Sequence, residues 1–202
     1  MTSILANSQL WWYTARSSGV VAWLMLTAGV FVGLALSTRA FGARPRANWL
    51  LDFHRFLGGA AVVFTGLHLL SLVLDSFVTF GPAELFVPFV SSYRPSAVAW
   101  GVVALYLLVA VEATSLLRKR LSKRAWRATH MLSFPLFVLA SVHAITAGTD
   151  SNTPLLRATV FGCAAAVAAL TAVRVSQVEE RAALPDRAQR ALRLSLEDRP
   201  NG

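Results

Sequence analysis

The chain alternates between five long apolar runs and shorter polar connections. The runs cover residues 18–37, 50–74, 97–117, 129–147 and 155–175. Each is close to the length of about 20 residues that a helix needs to cross the hydrocarbon core of a bilayer. A helix satisfies its own backbone hydrogen bonds, which lipid cannot do for an unpaired segment. The pattern therefore predicts an all-α integral membrane bundle of five transmembrane helices.

Composition supports this class and excludes others. Of the 202 residues, 55% are hydrophobic and 14% are charged, which is unusual for a soluble domain. The single cysteine excludes a disulfide framework and a thiolate metal cluster. The net charge of +9 does not indicate a nucleic-acid partner, because the basic residues collect between the apolar runs. The expected surroundings are membrane lipid, with the chain as a multi-pass protein of the plasma membrane.

Basic residues lie on alternate connections. The first connection and its ends carry Arg39, Arg44, Arg46 and Arg55, and the third carries Arg118, Lys119, Arg120, Lys123, Arg124 and Arg127. The second holds only Arg94, and the fourth holds no basic residue. The positive-inside rule places connections one and three in the cytoplasm, with the N-terminus outside and the C-terminus inside. We expect a short external segment at 1–17, a transmembrane domain at 18–175 and a polar cytoplasmic tail at 176–202, with a short helix near 186–196.

All four histidines lie in the second and fourth spans. They are His54, His68, His130 and His143. Polar residues at membrane depth are costly, so two pairs at similar spacing favour a functional explanation. The spacings of fourteen and thirteen residues correspond to about 21 Å and about 19.5 Å along a helix. Because the two spans run in the same direction, equal depth pairs His54 with His130 (the inner pair) and His68 with His143 (the outer pair).

Two facing imidazoles are the axial ligation expected of a low-spin b-type haem. The sequence therefore predicts two b-type haems at two levels, an arrangement that fits a hydrocarbon core of about 30 Å. On the histidine face of the second span, Gly58, Ala61 and Thr65 are small, as a helix beside a flat macrocycle requires. Packing alone also explains small residues there. A single bound haem is the alternative if one histidine pair is misaligned.

The fourth span fits an ideal helix less well. Its two histidines, thirteen residues apart, would point about 140° away from each other. Pro135 lies between them and removes a backbone hydrogen bond. A kink or tightened turn at this proline would bring the two histidines onto one face. Two haems rotated relative to each other would also accommodate the offset.

Cations near the membrane surface are candidate partners of the anionic haem propionates. Arg55 and Arg127 are predicted for the inner haem and Arg94 for the outer haem, with simple interfacial topology as the alternative for each. Trp126 is expected to stack or to anchor the chain at the interface.

Two carboxylates have open roles. Glu112, inside the third span, is expected to reach the cytoplasmic interface or a basic side chain, with a proton or quinone role as the alternative. Asp150 is expected in a turn, and attraction of a cation is its alternative role.

The paired histidines and the segment Trp126-Arg127-Ala128-Thr129-His130 resemble the ferric reductase-like transmembrane domain family. Its superfamily contains ferric reductases, NADPH oxidases and the haem-binding membrane subunit of methionine sulfoxide reductase systems. The resemblance covers roughly residues 10–175 and implies transmembrane electron transfer to an external acceptor: ferric iron, oxygen or a partner protein.

Two departures limit the resemblance. Family members with six spans are common, whereas five are predicted here, and the flavin and nicotinamide domains of the oxidases, with their GxGxxG motif, are absent. We therefore expect the membrane haem component of an oxidoreductase, supplied with electrons by a separate protein, a quinol or a flavin on a partner protein. The alternatives are a non-catalytic haem-binding subunit or redox sensor, and a transporter with a histidine proton relay. The transporter is weakened by the lack of inverted repeats with broken helices.

Overall fold

The computed structural model describes residues 2–38, 47–75, 80–148, 153–183 and 194. That part of the chain is helical and contains no strand. The α-helices are α1 (Thr2–Thr38), α2 (Ala47–Leu74), α3 (Pro82–Phe86), α4 (Pro95–Leu116), α5 (Lys123–His130), α6 (Ser133–Ala147) and α7 (Pro154–Ala183), with a 3₁₀ turn at Arg118–Arg120. Several predictions concern residues outside the described part of the chain, namely Arg39, Arg44, Arg46, Asp150 and, apart from Leu194, the short helix at 186–196.

Within the described residues, five segments are long and apolar enough to cross a membrane, which agrees with the predicted number of spans. They are Gln9–Thr38, Asn48–Leu74, Pro95–Leu116, Lys123–Ala147 and Pro154–Glu180. Helix α1 begins well before the first predicted span, and α7 continues past the fifth. Many large apolar side chains on the outside of the bundle are exposed, for example Phe56, Val63 and Phe161. That is the surface expected of a protein surrounded by lipid.

The fourth span is not one helix. Helix α5 ends at His130 and α6 begins at Ser133, with a turn at Met131 and Leu132 between them. Pro135 lacks an N–H group, so the carbonyl oxygen of Met131 cannot take the usual bond from four residues ahead. It accepts from the backbone N–H of Phe134 instead, at 3.3 Å. The interruption therefore has the cause that the sequence suggested.

Helix pairing leaves a gap between the helices that carry the histidines. Helix α1 packs along α2, and α4 packs along α6, whereas α1 also touches α6 and α7. The largest buried cluster joins α1, α6 and α7 around Trp23, Leu34 and Phe137. The indole N–H of Trp23 donates to the hydroxyl oxygen of Ser141 at 2.9 Å, which ties α1 to α6 inside the bundle. Helices α2 and α6 are thereby held on opposite sides of a shared cavity.

Candidate functional site

The structure brings the four histidines together as two pairs. The ring centres of His54 and His130 lie 5.9 Å apart, and their planes make an angle of 74°. The corresponding values for His68 and His143 are 6.4 Å and 80°. These are the inner and outer pairs expected from equal depth. Among the described residues, no group of three or more His, Cys, Asp or Glu side chains converges to hold a metal ion.

Three of the histidines are oriented by hydrogen bonds to backbone carbonyls. His54 Nδ1 lies 3.0 Å from the carbonyl oxygen of Gly29, and His68 Nδ1 lies 2.7 Å from that of Ala15. His143 Nδ1 lies 2.8 Å from the carbonyl oxygen of Ala97. Because a carbonyl oxygen only accepts, each Nδ1 carries the proton, and in the neutral ring each Nε2 then keeps its lone pair. A histidine that ligates a metal through one ring nitrogen commonly donates from the other in this way.

A glycine four residues after each of these carbonyls makes room for the ring. A Cβ atom on Gly33 would stand 3.2 Å from the ring of His54, and one on Gly19 would stand 3.0 Å from His68. A Cβ atom on Gly101 would stand 2.6 Å from Cε1 of His143. We call each carbonyl with its glycine a histidine seat: Ala15/Gly19, Gly29/Gly33 and Ala97/Gly101.

The two seats on α1 repeat with the spacing of the histidines on α2. Gly19 and Gly33 are fourteen residues apart, as are His54 and His68. Since the two helices are packed side by side, one register between them seats both rings. The sequence analysis missed these seats, although the shared spacing of fourteen was a signal that could have found them.

A cavity of about 330 Å³ lies beside the outer pair and reaches toward the middle of the bundle. Both outer histidines line it, together with Ala61 and Thr65 of α2, two of the small residues noted on the histidine face. On α6 the lining includes Ala140, so the cavity is lined by small side chains on the α2 side and on the α6 side. The volume lies within the range of small-molecule and cofactor sites.

His130 has a different environment from the other three histidines. Its Nδ1 is buried and has no hydrogen-bond partner within the described part of the chain, and the same holds for Nε1 of Trp126. The Trp126 ring is stacked on His130, with centres 5.2 Å apart and an interplanar angle of 22°. The guanidinium carbon of Arg118 stands 4.5 Å from the centre of the Trp126 ring.

The predicted propionate partners occupy different surroundings. Arg55, next to His54, forms an ion pair of 3.0 Å with Asp52 on an exposed face. Arg127 is also exposed and lies within the last turn of α5 before His130. Arg94 donates to the carbonyl oxygen of Thr146 at 2.7 Å, at the end of α6, and is not among the residues that line the cavity.

A cation that the sequence analysis missed does line the cavity. Arg16 of α1 stands at its edge, with its guanidinium carbon 4.1 Å from the centre of the Trp12 ring. It lies two residues before the first predicted span and was grouped with the external segment. The available signal was its position just before the first apolar run, as the one basic residue among residues 1–17.

Glu112 points toward α2. A Cβ atom on Gly58 would stand 2.5 Å from Oε1 of Glu112, so this glycine makes room for the carboxylate one turn from His54. No ion pair of Glu112 with a basic side chain occurs among the residues that the structure describes. Glu112 is therefore part of the contact between α4 and α2.

The two pairs have a separation that suits one iron atom each. A metal–nitrogen bond of about 2 Å and a distance of about 1 Å from that nitrogen to its ring centre place two axial imidazole centres about 6 Å apart. The observed 5.9 Å and 6.4 Å match that value. Neutral imidazoles with free Nε2 lone pairs are also the donor set that haem iron accepts.

Residues 18–141 match the family model described as "Ferric reductase like transmembrane component". The match begins in α1 and ends in α6, so it includes His54, His68 and His130. The chain is also similar to the protein-methionine-sulfoxide reductase heme-binding subunit MsrQ of Rhodospirillum rubrum. The identity is 32% over 147 residues, which cover 70% of this chain and 68% of that protein. No solved structure matches the chain.

Proposed function

Because this chain belongs to the ferric reductase-like transmembrane component family, we propose that it carries electrons across a membrane through two b-type haems. The inner haem iron would be held by His54 and His130, and the outer haem iron by His68 and His143. The observation that carries the proposal is the facing of the two histidine pairs, with ring centres 5.9 Å and 6.4 Å apart.

Haem iron supplies a one-electron couple when it is bound between two imidazoles. The chain's own contribution is to orient the histidine rings and to exclude water from the space between them. The carbonyls of Ala15, Gly29 and Ala97 fix three rings with Nε2 aimed away from the seats. Apolar side chains such as Leu108 and Leu136 line the cavity and keep water from the middle of the bundle. Rigid, dry surroundings reduce the reorganisation that accompanies a change of charge.

The direction of transfer follows from the proposed orientation. The exposed basic residues between α4 and α5 would lie in the cytoplasm, with the N-terminus outside and the C-terminus inside the plasma membrane. Electrons would enter near His54 and His130 from a separate protein, a quinol or a flavin on a partner. They would leave near His68 and His143 for ferric iron, oxygen or a partner protein. Residues 1–17, 18–175 and 176–202 would be the external segment, the haem-binding domain and the cytoplasmic tail.

Different arginines are proposed to contact the propionates of the inner haem and of the outer haem. Arg55 and Arg127 are proposed for the inner haem because both stand at the exposed end beside His54 and His130. For the outer haem, Arg16 is the stronger proposal because it lines the cavity, and Arg94 is retained as a second partner near the end of α6.

A second candidate function is supported by the relative, whose name describes a heme-binding subunit. This chain would then hold haem as a subunit of an assembly and pass electrons only to its partner protein. The two candidates share the haem sites but differ in the acceptor. Proteoliposomes with a reductant inside and ferric chelates or oxygen outside distinguish the two candidates. A chain that transfers electrons across the membrane by itself reduces the external acceptor, whereas a subunit that needs its partner protein does not.

The haem sites are tested by purification in detergent after haem-sufficient expression, with oxidised and dithionite-reduced spectra and the haem content per polypeptide. We expect two b-type haems in the wild type, and one in each of His54→Ala and His68→Ala. Ser176→Ala, an exposed change on α7, is the matched control and should keep both. A wild-type protein without haem would contradict the proposal and leave a proton-handling role for the histidines.

A further inference from the structure

The fourth histidine lacks the seat that holds the other three. On α4, the seat of His143 is the carbonyl of Ala97 with Gly101. His130 lies thirteen residues before His143, so an equivalent seat would begin thirteen or fourteen residues after Ala97, at Ala110 or Val111.

Neither position has the glycine that the other three seats share. The hydroxyl group of Thr114 is hydrogen-bonded to the carbonyl oxygen of Ala110 at 2.7 Å and lies 3.2 Å from that of Val111. The positions that correspond to Gly101 hold Thr114 or Ser115, each of which has a side chain where a seat requires none. Within the described residues, Nδ1 of His130 has no hydrogen-bond partner, as expected where this kind of seat is missing.

A stack of two side chains stands in place of the seat. Trp126 precedes His130 by one helical turn, and the near-parallel rings, 22° apart in plane, are in stacking contact. Arg118 packs its guanidinium on the Trp126 ring, a cation–π contact that restrains the indole. Helix α5 is itself capped at its start, where the hydroxyl of Ser122 accepts from the N–H of Ala125 at 3.1 Å. The stack is thus built on a short helix whose beginning is held in place.

We propose that Trp126, clamped by Arg118, is the positioning residue that sets the orientation of the His130 ring at the inner site. Torsion about the Cβ–Cγ bond of histidine is soft, so without a hydrogen bond at Nδ1 the orientation of the ring is set by the groups packed against it. The inference rests on the proposed haem function and adds an asymmetry to it. The outer iron would have two ligands that donate to carbonyls, whereas the inner iron would have one such ligand and one that is held by stacking.

The test compares Trp126→Leu, which removes the stacking ring, with Trp126→Phe, which keeps an aromatic face. Trp49→Leu is the control, because Trp49 is an exposed tryptophan whose ring is stacked on Phe53, also in α2, and not on a histidine. For each purified protein the measurements are the haem content, the low-spin ferric EPR signals and a redox titration. His54→Ala identifies which signal belongs to the inner haem.

We expect Trp126→Leu to weaken haem binding at the inner site about 10-fold or more, as loss of a contact behind a metal ligand commonly does. Any inner haem that remains should have a shifted EPR signal and midpoint potential. The outer haem should be unchanged, Trp126→Phe should restore the inner signal, and Trp49→Leu should retain both haems.

An unchanged inner signal in Trp126→Leu would overturn the inference, as would equal loss of both haems. These outcomes differ from a failure of the haem proposal itself, in which the wild-type protein would not contain two haems. If Trp126→Leu does not accumulate, Arg118→Gln decides the matter, since Arg118 is exposed and its replacement leaves the core intact. A shift confined to the inner signal supports the clamp, and no shift overturns it.

Discussion

The imidazole planes of His54 and His130 stand at 74° to each other, and those of His68 and His143 at 80°. If a haem iron were held between each pair of imidazoles, near-perpendicular ring planes would make the two iron orbitals that interact with the rings almost equal in energy. The unpaired electron of the ferric state would then keep much of its orbital angular momentum.

We therefore expect both ferric haems to give strongly anisotropic low-spin EPR signals, with a largest g value well above that of coplanar imidazole pairs. Low-temperature EPR of the purified protein measures this directly. Signals typical of coplanar ligands would mean that the rings rotate away from the present angles when haem binds. His54→Ala and His68→Ala should each remove one of the two signals.

Gly101 should be required for the outer haem. In Gly101→Ala the new methyl group would stand 2.6 Å from the His143 ring, so the ring must leave its seat at Ala97. We expect outer-haem affinity to fall about 10-fold or more. Gly66→Ala is the matched control, because a Cβ atom at Gly66 meets nothing within 4 Å. The measurement is the haem content of the two variants. Equal haem content would contradict the requirement for Gly101 in outer-haem binding.

Arg16 should tune the outer haem more than Arg94 does. A cation at the cavity edge favours the reduced haem, which carries less positive charge, so Arg16→Gln should lower the outer midpoint potential. The effect should be on the order of 1 kcal/mol in the free energy of reduction, because the cavity edge is partly solvated. Arg94→Gln should mainly loosen the connection to Thr146. A spectroelectrochemical titration in which Arg94→Gln gives the larger shift would reverse this assignment.

Pro135 should be needed to keep both histidine pairs aligned. In Pro135→Ala the backbone N–H returns, so α5 and α6 can join into one regular helix. His130 and His143 would then point about 140° apart, and only one of them could face α2. We expect at most one haem per polypeptide in this variant. Two haems at wild-type affinity would show that contacts such as the Trp126 stack preserve the interruption without the proline.

The hydrogen bond between Trp23 and Ser141 should contribute to stability but not to haem binding. Ser141→Ala removes the acceptor of the buried indole N–H. Interhelical hydrogen bonds in membrane proteins contribute about 0.6 kcal/mol on average and up to about 1.7 kcal/mol. We expect a small decrease in the thermal midpoint in detergent, with both haems retained. Loss of haem would indicate that this bond also sets the position of α6.

Sequence reasoning was strongest where the physical signal is local. The number of spans follows from hydropathy, and the two depths of the histidines follow from a fixed helical rise of about 1.5 Å per residue. Pro135 marked the interruption of the fourth span because a missing N–H is a property of the residue itself. The same reasoning expected Glu112 to reach the cytoplasmic interface or a basic side chain, and did not find that its carboxylate lies against Gly58 of another helix. It also overlooked Arg16, which is significant only beside the cavity.

The sequence alone determined that this chain is a five-span helical membrane protein with histidines at two depths, because apolar run length and residue spacing are read along one dimension. Only the tertiary structure decided how each ring is held. The seats of His54 and His68 come from α1, that of His143 from α4, and the stack on His130 from α5 and the turn before it. Which carbonyl faces which imidazole depends on the register between packed helices, and that register is set by close contacts between residues far apart in the chain.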